Sequence, residues 1–118
     1  MNHIDRINAV INGIPEVPML TSFKEIDENG DEFWKNKEGQ LHRDGDLPAV
    51  IYANGAKYWC KNGQLHRDGD LPAIIFANGR KEWWKNSKRH RDGDLPAVIW
   101  ANGDKKWYKN GVRYEPHR

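Results

Sequence analysis

The octapeptide His-Arg-Asp-Gly-Asp-Leu-Pro-Ala is written three times, starting at His42, His66 and His90 at a constant spacing of 24 residues. A fixed internal period means one supersecondary unit copied along an array, each copy packing on its neighbours. It also bears on function. Any reactive group in the unit is copied with it, so an array of this kind suits binding better than catalysis. The full units occupy 42–65, 66–89 and 90–113. A degenerate unit covers 18–41, where Asn29-Gly30 leads to Trp34 at the offset that joins Asn54 to Trp59, Asn78 to Trp83 and Asn102 to Trp107. Gly39-Gln40-Leu41 then matches Gly63-Gln64-Leu65 after one inserted residue. A segment over 1–17 and a tail over 114–118 complete the chain, which holds about three and a half units.

Each unit carries two β signals around Asn-Gly. Ala49 to Ala53 is apolar and β-branched, and Ala56 to Lys61 follows. Asn54-Gly55 between them is a strong hairpin signal, because both residues tolerate positive φ. A second Asn-Gly, at Asn62-Gly63 and Asn110-Gly111, ends the second strand, with Asn86-Ser87 as the variant. Asp44-Gly45 turns the connecting loop, Leu47 is extended before Pro48, and Pro48 suits the first position of a strand. The fold class predicted is all-β, a single-domain array of antiparallel hairpins.

A two-residue turn at Asn54-Gly55 sets a definite register. It places Tyr52 opposite Lys57, Val50 opposite Trp59, and Ile51 opposite Tyr58. One face then scarcely changes between units, with Val50, Ile74 and Val98 beside Trp59, Trp83 and Trp107. The other varies, with Tyr58, Glu82 and Lys106, then Cys60, Trp84 and Tyr108. The invariant face is expected to pack. The six varied residues are the expected partner-binding surface.

At this point the chain resembles MORN-type repeats, which are also short β-hairpin units with an aromatic-rich strand and Asn-Gly or Asp-Gly turns. The closer likeness is to a variant of bacterial, bacteriophage and giant-virus proteins that reads HREDGPA, then aliphatic and aromatic residues, then NG-x-K-x-W. It covers roughly residues 29–113. This chain has Asp-Gly-Asp-Leu-Pro-Ala where that variant often has Glu-Asp-Gly-Pro-Ala. The resemblance implies a twisted single sheet and a protein-interaction role. In a phage- or virus-type protein it also implies an inhibitor that occupies a host protein, such as a defence factor.

Composition agrees with one soluble domain in a reducing compartment. The chain has 118 residues, six tryptophans and a single cysteine, Cys60. One thiol excludes an internal disulfide. No apolar run reaches membrane-spanning length and no secretory signal is visible, so cytoplasm is expected, or host cytoplasm for a viral chain. Mean hydropathy is −0.96. A stack tolerates such polarity because each unit packs only on its neighbours. Charge is uneven: residues 1–41 sum to −4 and the three full units to +6. Such asymmetry suggests an oriented partner or head-to-tail pairing. Ile4, Ile7, Val10 and Ile11 have helical spacing, with Gly13 and Pro15 beyond, so a short capping helix is expected over 1–17 and a first strand is the alternative.

The repeat argues against metal and catalytic readings. His42, His66 and His90 sit in successive hairpins about 9–10 Å apart, while the ligands of one zinc lie about 2 Å from it. No metal or cofactor is expected, and the histidines are assigned to loop hydrogen bonds. Paired carboxylates such as Asp44 and Asp46 recur in every unit, as turn residues do. The chain is expected not to be an enzyme. The alternative to protein binding is nucleic-acid backbone binding through the Lys-x-Trp-x-Lys rows: Lys57 and Lys61, Lys81 and Lys85, Lys105 and Lys109. An open sheet also leaves two edges, so self-association is the third expectation.

Overall fold

The computed structural model describes residues 22–116, and within them it is all-β. The expected N-terminal helix or strand lies outside the described residues. One nine-stranded antiparallel sheet takes a hairpin from each unit. Its strands are β1 (Phe23–Ile26), β2 (Glu32–Lys35), β3 (Val50–Ile51), β4 (Lys57–Tyr58), β7 (Ile74–Ile75), β8 (Lys81–Glu82), β11 (Val98–Ile99), β12 (Lys105–Lys109) and β13 (Val112–Tyr114), in that spatial order. Beside it lie two short hairpins, β5 (Cys60–Lys61) with β6 (Gln64–Leu65), and β9 (Trp84–Lys85) with β10 (Lys88–Arg89). In the last unit β12 runs on unbroken and pairs with β13 in the equivalent position.

The two Asn-Gly dipeptides of a unit make different turns. Asn62 and Gly63 both have positive φ, 49° and 82°. That is the two-residue primed turn that suits the twist of a ribbon. At Asn54-Gly55 only Gly55 is left-handed, with φ 99°. Its N–H donates to the Tyr52 carbonyl, Tyr52 N–H bonds Ala56 O, and the Asn54 side chain accepts the Ala56 N–H. Asn54 thus spends its amide oxygen on the turn rather than entering the left-handed region, and the loop holds three residues. The inserted residue of the degenerate unit is absorbed in the same way. Asn36 N–H bonds Gln40 O around a three-residue loop in place of the two-residue Asn62-Gly63 turn.

The three-residue loop corrects the expected register by one residue. Val50 pairs with Tyr58 and Ile51 with Lys57, and the later units repeat this with Ile74–Glu82 and Val98–Lys106. A one-residue slip moves a strand's side chains to the opposite face. Tyr58, Glu82 and Lys106 therefore join Val50, Ile74 and Val98. Lys57, Lys81 and Lys105 join Ile51, Ile75 and Ile99 on the other face. The buried apolar residues include Ala49, Ala73 and Ala97, the three aliphatics Val50, Ile74 and Val98, and Trp59 and Trp83, with Ala56 and Cys60, and His42 and Glu82 are buried among them.

Units are joined through the backbone of three tryptophans, Trp34, Trp59 and Trp83. Trp59 N–H donates to Ala73 O and Trp59 O accepts from His66 N–H, both in the following unit. Trp83 does the same with Ala97 and His90, and Trp34 with Ala49 and His42. The short hairpins are linked as well, by Gly63 N–H to Leu41 O, Ser87 N–H to Leu65 O and Gly111 N–H to Arg89 O.

Candidate interaction surface

The repeated octapeptide builds a clasp between units. In His42 the Nδ1 atom accepts the Asn62 N–H at 3.0 Å, so the neutral ring carries its proton on Nε2, which faces Asp44 Oδ1 at 3.1 Å. His66 and His90 repeat this with Asn86 and Asp68, and with Asn110 and Asp92. Each histidine thus ties the loop to the left-handed turn of its own unit. The bonds from His66 and His90 hold the Asp68 and Asp92 carboxyls below the usual carboxylate range.

Arginine reaches backward. Arg67 grips Asp46 of the preceding unit with Nε at 2.8 Å and Nη2 at 3.1 Å, and donates Nη1 to Pro72 O at 3.1 Å. Its guanidinium carbon sits 3.8 Å from the centre of the Trp59 ring. The Trp59 indole N–H donates to Asp46 O at 3.1 Å, which locks the platform to the carboxylate. Arg91 repeats the set on Asp70 and Trp83. Arg43 stacks on Trp34 at 3.7 Å and bonds Pro48 O. Bidentate charge-assisted bonds combined with stacking use the planar guanidinium fully. The Arg67 bond also pulls the Asp46 carboxyl down.

Of the six varied residues Glu82 and Cys60 are buried, and Tyr58, Trp84, Lys106 and Tyr108 are half-buried. Tyr58 stands edge-on between Tyr52 and Phe76, with centroids at 5.2 and 6.1 Å, and Phe33 extends the run. In the next unit Glu82 takes the place of Tyr58 and is only 2% exposed. It is paired with Arg80 and Arg89 and accepts the Trp84 indole N–H at 2.9 Å. Arg80 lies between the Phe76 and Trp100 rings, 5.1 Å from each. Units one and two therefore fill the same gap with Ala56–Tyr58 and Arg80–Glu82. Unit three has Asp104–Lys106 there, the same charges reversed. Cys60 is buried, and burial pushes its thiol up to about 11, away from thiolate chemistry. Trp84 and Tyr108 are half-buried around the Arg89 guanidinium, which lies 5.0 and 5.3 Å from their rings. The six residues expected to form a varied surface thus do not make one open face, since two are buried and the others pack in part against their own neighbours. In unit two the change from Tyr58 to Glu82 is compensated by Arg80 and Arg89 of the same unit.

The lysines are exposed. Lys57, Lys81 and Lys105 alternate with Ile51, Ile75 and Ile99 across one sheet face, while Lys61, Lys85 and Lys109 belong to the second row of hairpins. Two of the three tryptophans between them, Trp59 and Trp83, do not offer stacking platforms. Trp59 and Trp83 are buried and each is covered by an arginine.

What the loops expose is leucine. Leu47, Leu71 and Leu95 are 46%, 41% and 41% exposed, one per unit. Between successive loops lie open concavities of about 360 and 400 Å³. Leu71 lines both, with Gly69, Asp68 and Arg67, and Lys61 or Lys85 at the rim. Sequence reasoning missed these leucines because they sit inside an invariant motif. The available signal was an apolar residue between Asp46 and Pro48, in a loop whose other side chains are polar. Comparison with protein-family models, curated proteins and solved structures finds no match to this chain.

Proposed function

We propose that the protein is a non-catalytic binding module that engages a protein partner along its loop side, in the manner the MORN resemblance implies. The observation that carries this is the periodic row of exposed leucines, two of which, Leu71 and Leu95, line open concavities with polar surroundings. Single exposed leucines are ordinary on a protein surface. A row repeated every unit, about 9–10 Å apart across two strands, is a regular set of apolar anchors. Apolar centres with polar surroundings are what protein interfaces use. The concavities are open rather than enclosing, which suits inserted side chains better than a small ligand. In a phage- or virus-type protein, such binding would inhibit a host factor by occupying it.

The test is capture from bacterial lysate with three proteins: the wild type, a Leu71→Ser/Leu95→Ser variant, and a Lys57→Gln/Lys81→Gln/Lys105→Gln variant. A partner held by the wild type and the lysine variant but lost by the leucine variant supports the reading. A partner kept by the leucine variant overturns it. Salt-dependent retention of nucleic acid that is lost with the lysines would favour the backbone-binding alternative.

A further inference from the structure

The arginine clasp has one more socket than it has described arginines. Asp46–Trp59 holds Arg67 and Asp70–Trp83 holds Arg91. The third set, Asp94–Trp107, is built alike. Asp94 has φ 57°, against 55° and 54° for Asp46 and Asp70. The Trp107 indole N–H donates to Asp94 O at 3.0 Å, as in the two filled sockets. One period beyond Arg91, however, the chain has Glu115, and Tyr114 stands in the histidine register. Glu115 is turned toward Arg113 at 3.4 Å. Trp107 is half-exposed, whereas Trp59 and Trp83 are buried. Burial and then the neighbouring Asp94 carboxylate push the Tyr114 hydroxyl up. Beside this end an open concavity of about 490 Å³ is lined by Asp94 and Tyr114, with Gly93, Lys109 and Val112, and by Arg91 and Asp92 of the adjoining loop.

We propose that Asp94 and Trp107 form a ready-made guanidinium site that takes an arginine side chain from a partner protein. The ligand class follows from the chain's own use of the same geometry twice: a carboxylate for two N–H donors and an indole face for the planar cation. Arginine fits this arrangement and lysine does not, because an ammonium is not planar and cannot bond both carboxylate oxygens in parallel. Tyr114 is the place-holder that gives up Asp94 when arginine enters. The site goes beyond the leucine row, and binding of a single amino-acid derivative tests it whether or not that row has a partner.

The experiment follows the Trp107 indole N–H by NMR in the full-length protein during titration with Nα-acetyl-arginine methylamide, and separately with the lysine analogue. The expected result is a saturable shift of Trp107 with arginine and roughly tenfold weaker binding of lysine. Asp94→Asn abolishes the shift while the Trp59 and Trp83 signals stay in place. Tyr114→Phe strengthens it. Glu115→Arg, which restores the repeat in cis, blocks added arginine. No shift in either the wild type or Tyr114→Phe overturns the proposal, and so does equal binding of lysine. Two further results would give the socket to another occupant and overturn the partner assignment: arginine binding that appears only in Arg118→Gln, or concentration-dependent dimerisation abolished by Asp94→Asn.

Discussion

Arg67 and Arg80 both lie against aromatic rings, yet only the first belongs to a set that recurs one unit on. Arg67 holds Asp46 and Trp59 of the preceding unit, and its counterpart Arg91 does the same one unit on. Arg80 fills a gap on the aromatic face that unit one fills with Tyr58, and it brings Glu82 with it. A joint between units has to be copied, because each copy must fit the next. A filler has to match only its own surroundings, so it is free to change if its neighbour changes too. Variation between units one and two therefore marks compensated packing here, and the invariant loop carries one exposed leucine in every full unit.

The largest effect expected from breaking this contrast is at the filler. Glu82→Ala leaves the Arg80 charge part-buried without its acceptor, and costs about 3 kcal/mol on the scale of broken buried pairs. Urea denaturation measures it. Installing the unit-one solution, Arg80→Ala with Glu82→Tyr, is expected to recover most of that loss, and a cost equal to the sum of the two single changes would refute compensation.

At the joint, Arg67→Ala removes stacking and a bidentate bond and is expected to cost about 2 kcal/mol. Arg43→Ala loses stacking on Trp34 and one carbonyl bond, and is expected to cost roughly half as much. Equal losses would show that the carboxylate adds nothing.

The hairpins, the three loops and the array order follow directly from the period and from Asn-Gly. Register was not legible, because Asn54-Gly55 and Asn62-Gly63 are the same dipeptide in two turns. The Asn54 side chain accepts the Ala56 N–H in one, and Asn62 enters positive φ in the other. That single residue decided whether Tyr58 and Glu82 faced outward or inward. The loop roles of the histidines were legible from spacing alone. The backward reach of Arg67 was not, since Asp46 lies 21 positions away in sequence.

Acid should loosen the joint and leave the filler's aromatic contacts alone. The Arg67 bond lowers the Asp46 carboxyl, and the His66 and His90 bonds lower Asp68 and Asp92. A depressed folded value means the stabilisation is complete above the ordinary carboxylate value of about 3.9 and is lost as pH falls below it. Thermal melts from about pH 5 to pH 2 are expected to show this decline, and Asp46→Asn should flatten part of it. The smallest effect concerns Cys60. Its thiol, pushed up to about 11 by burial, is expected to react slowly with iodoacetamide at about pH 8 in the native protein and at the ordinary rate in urea. Fast native labelling would place that strand outside the core.

The most direct test of the inter-unit joint is a double-mutant cycle on Asp46→Asn and Arg67→Gln, read by urea denaturation. Their bond crosses from one unit to the next, and Asp46 is half-exposed, so a screened coupling of about 1 kcal/mol is expected. Additive losses, with no coupling between the two positions, would contradict the claim that the repeated motif exists to hold successive units together.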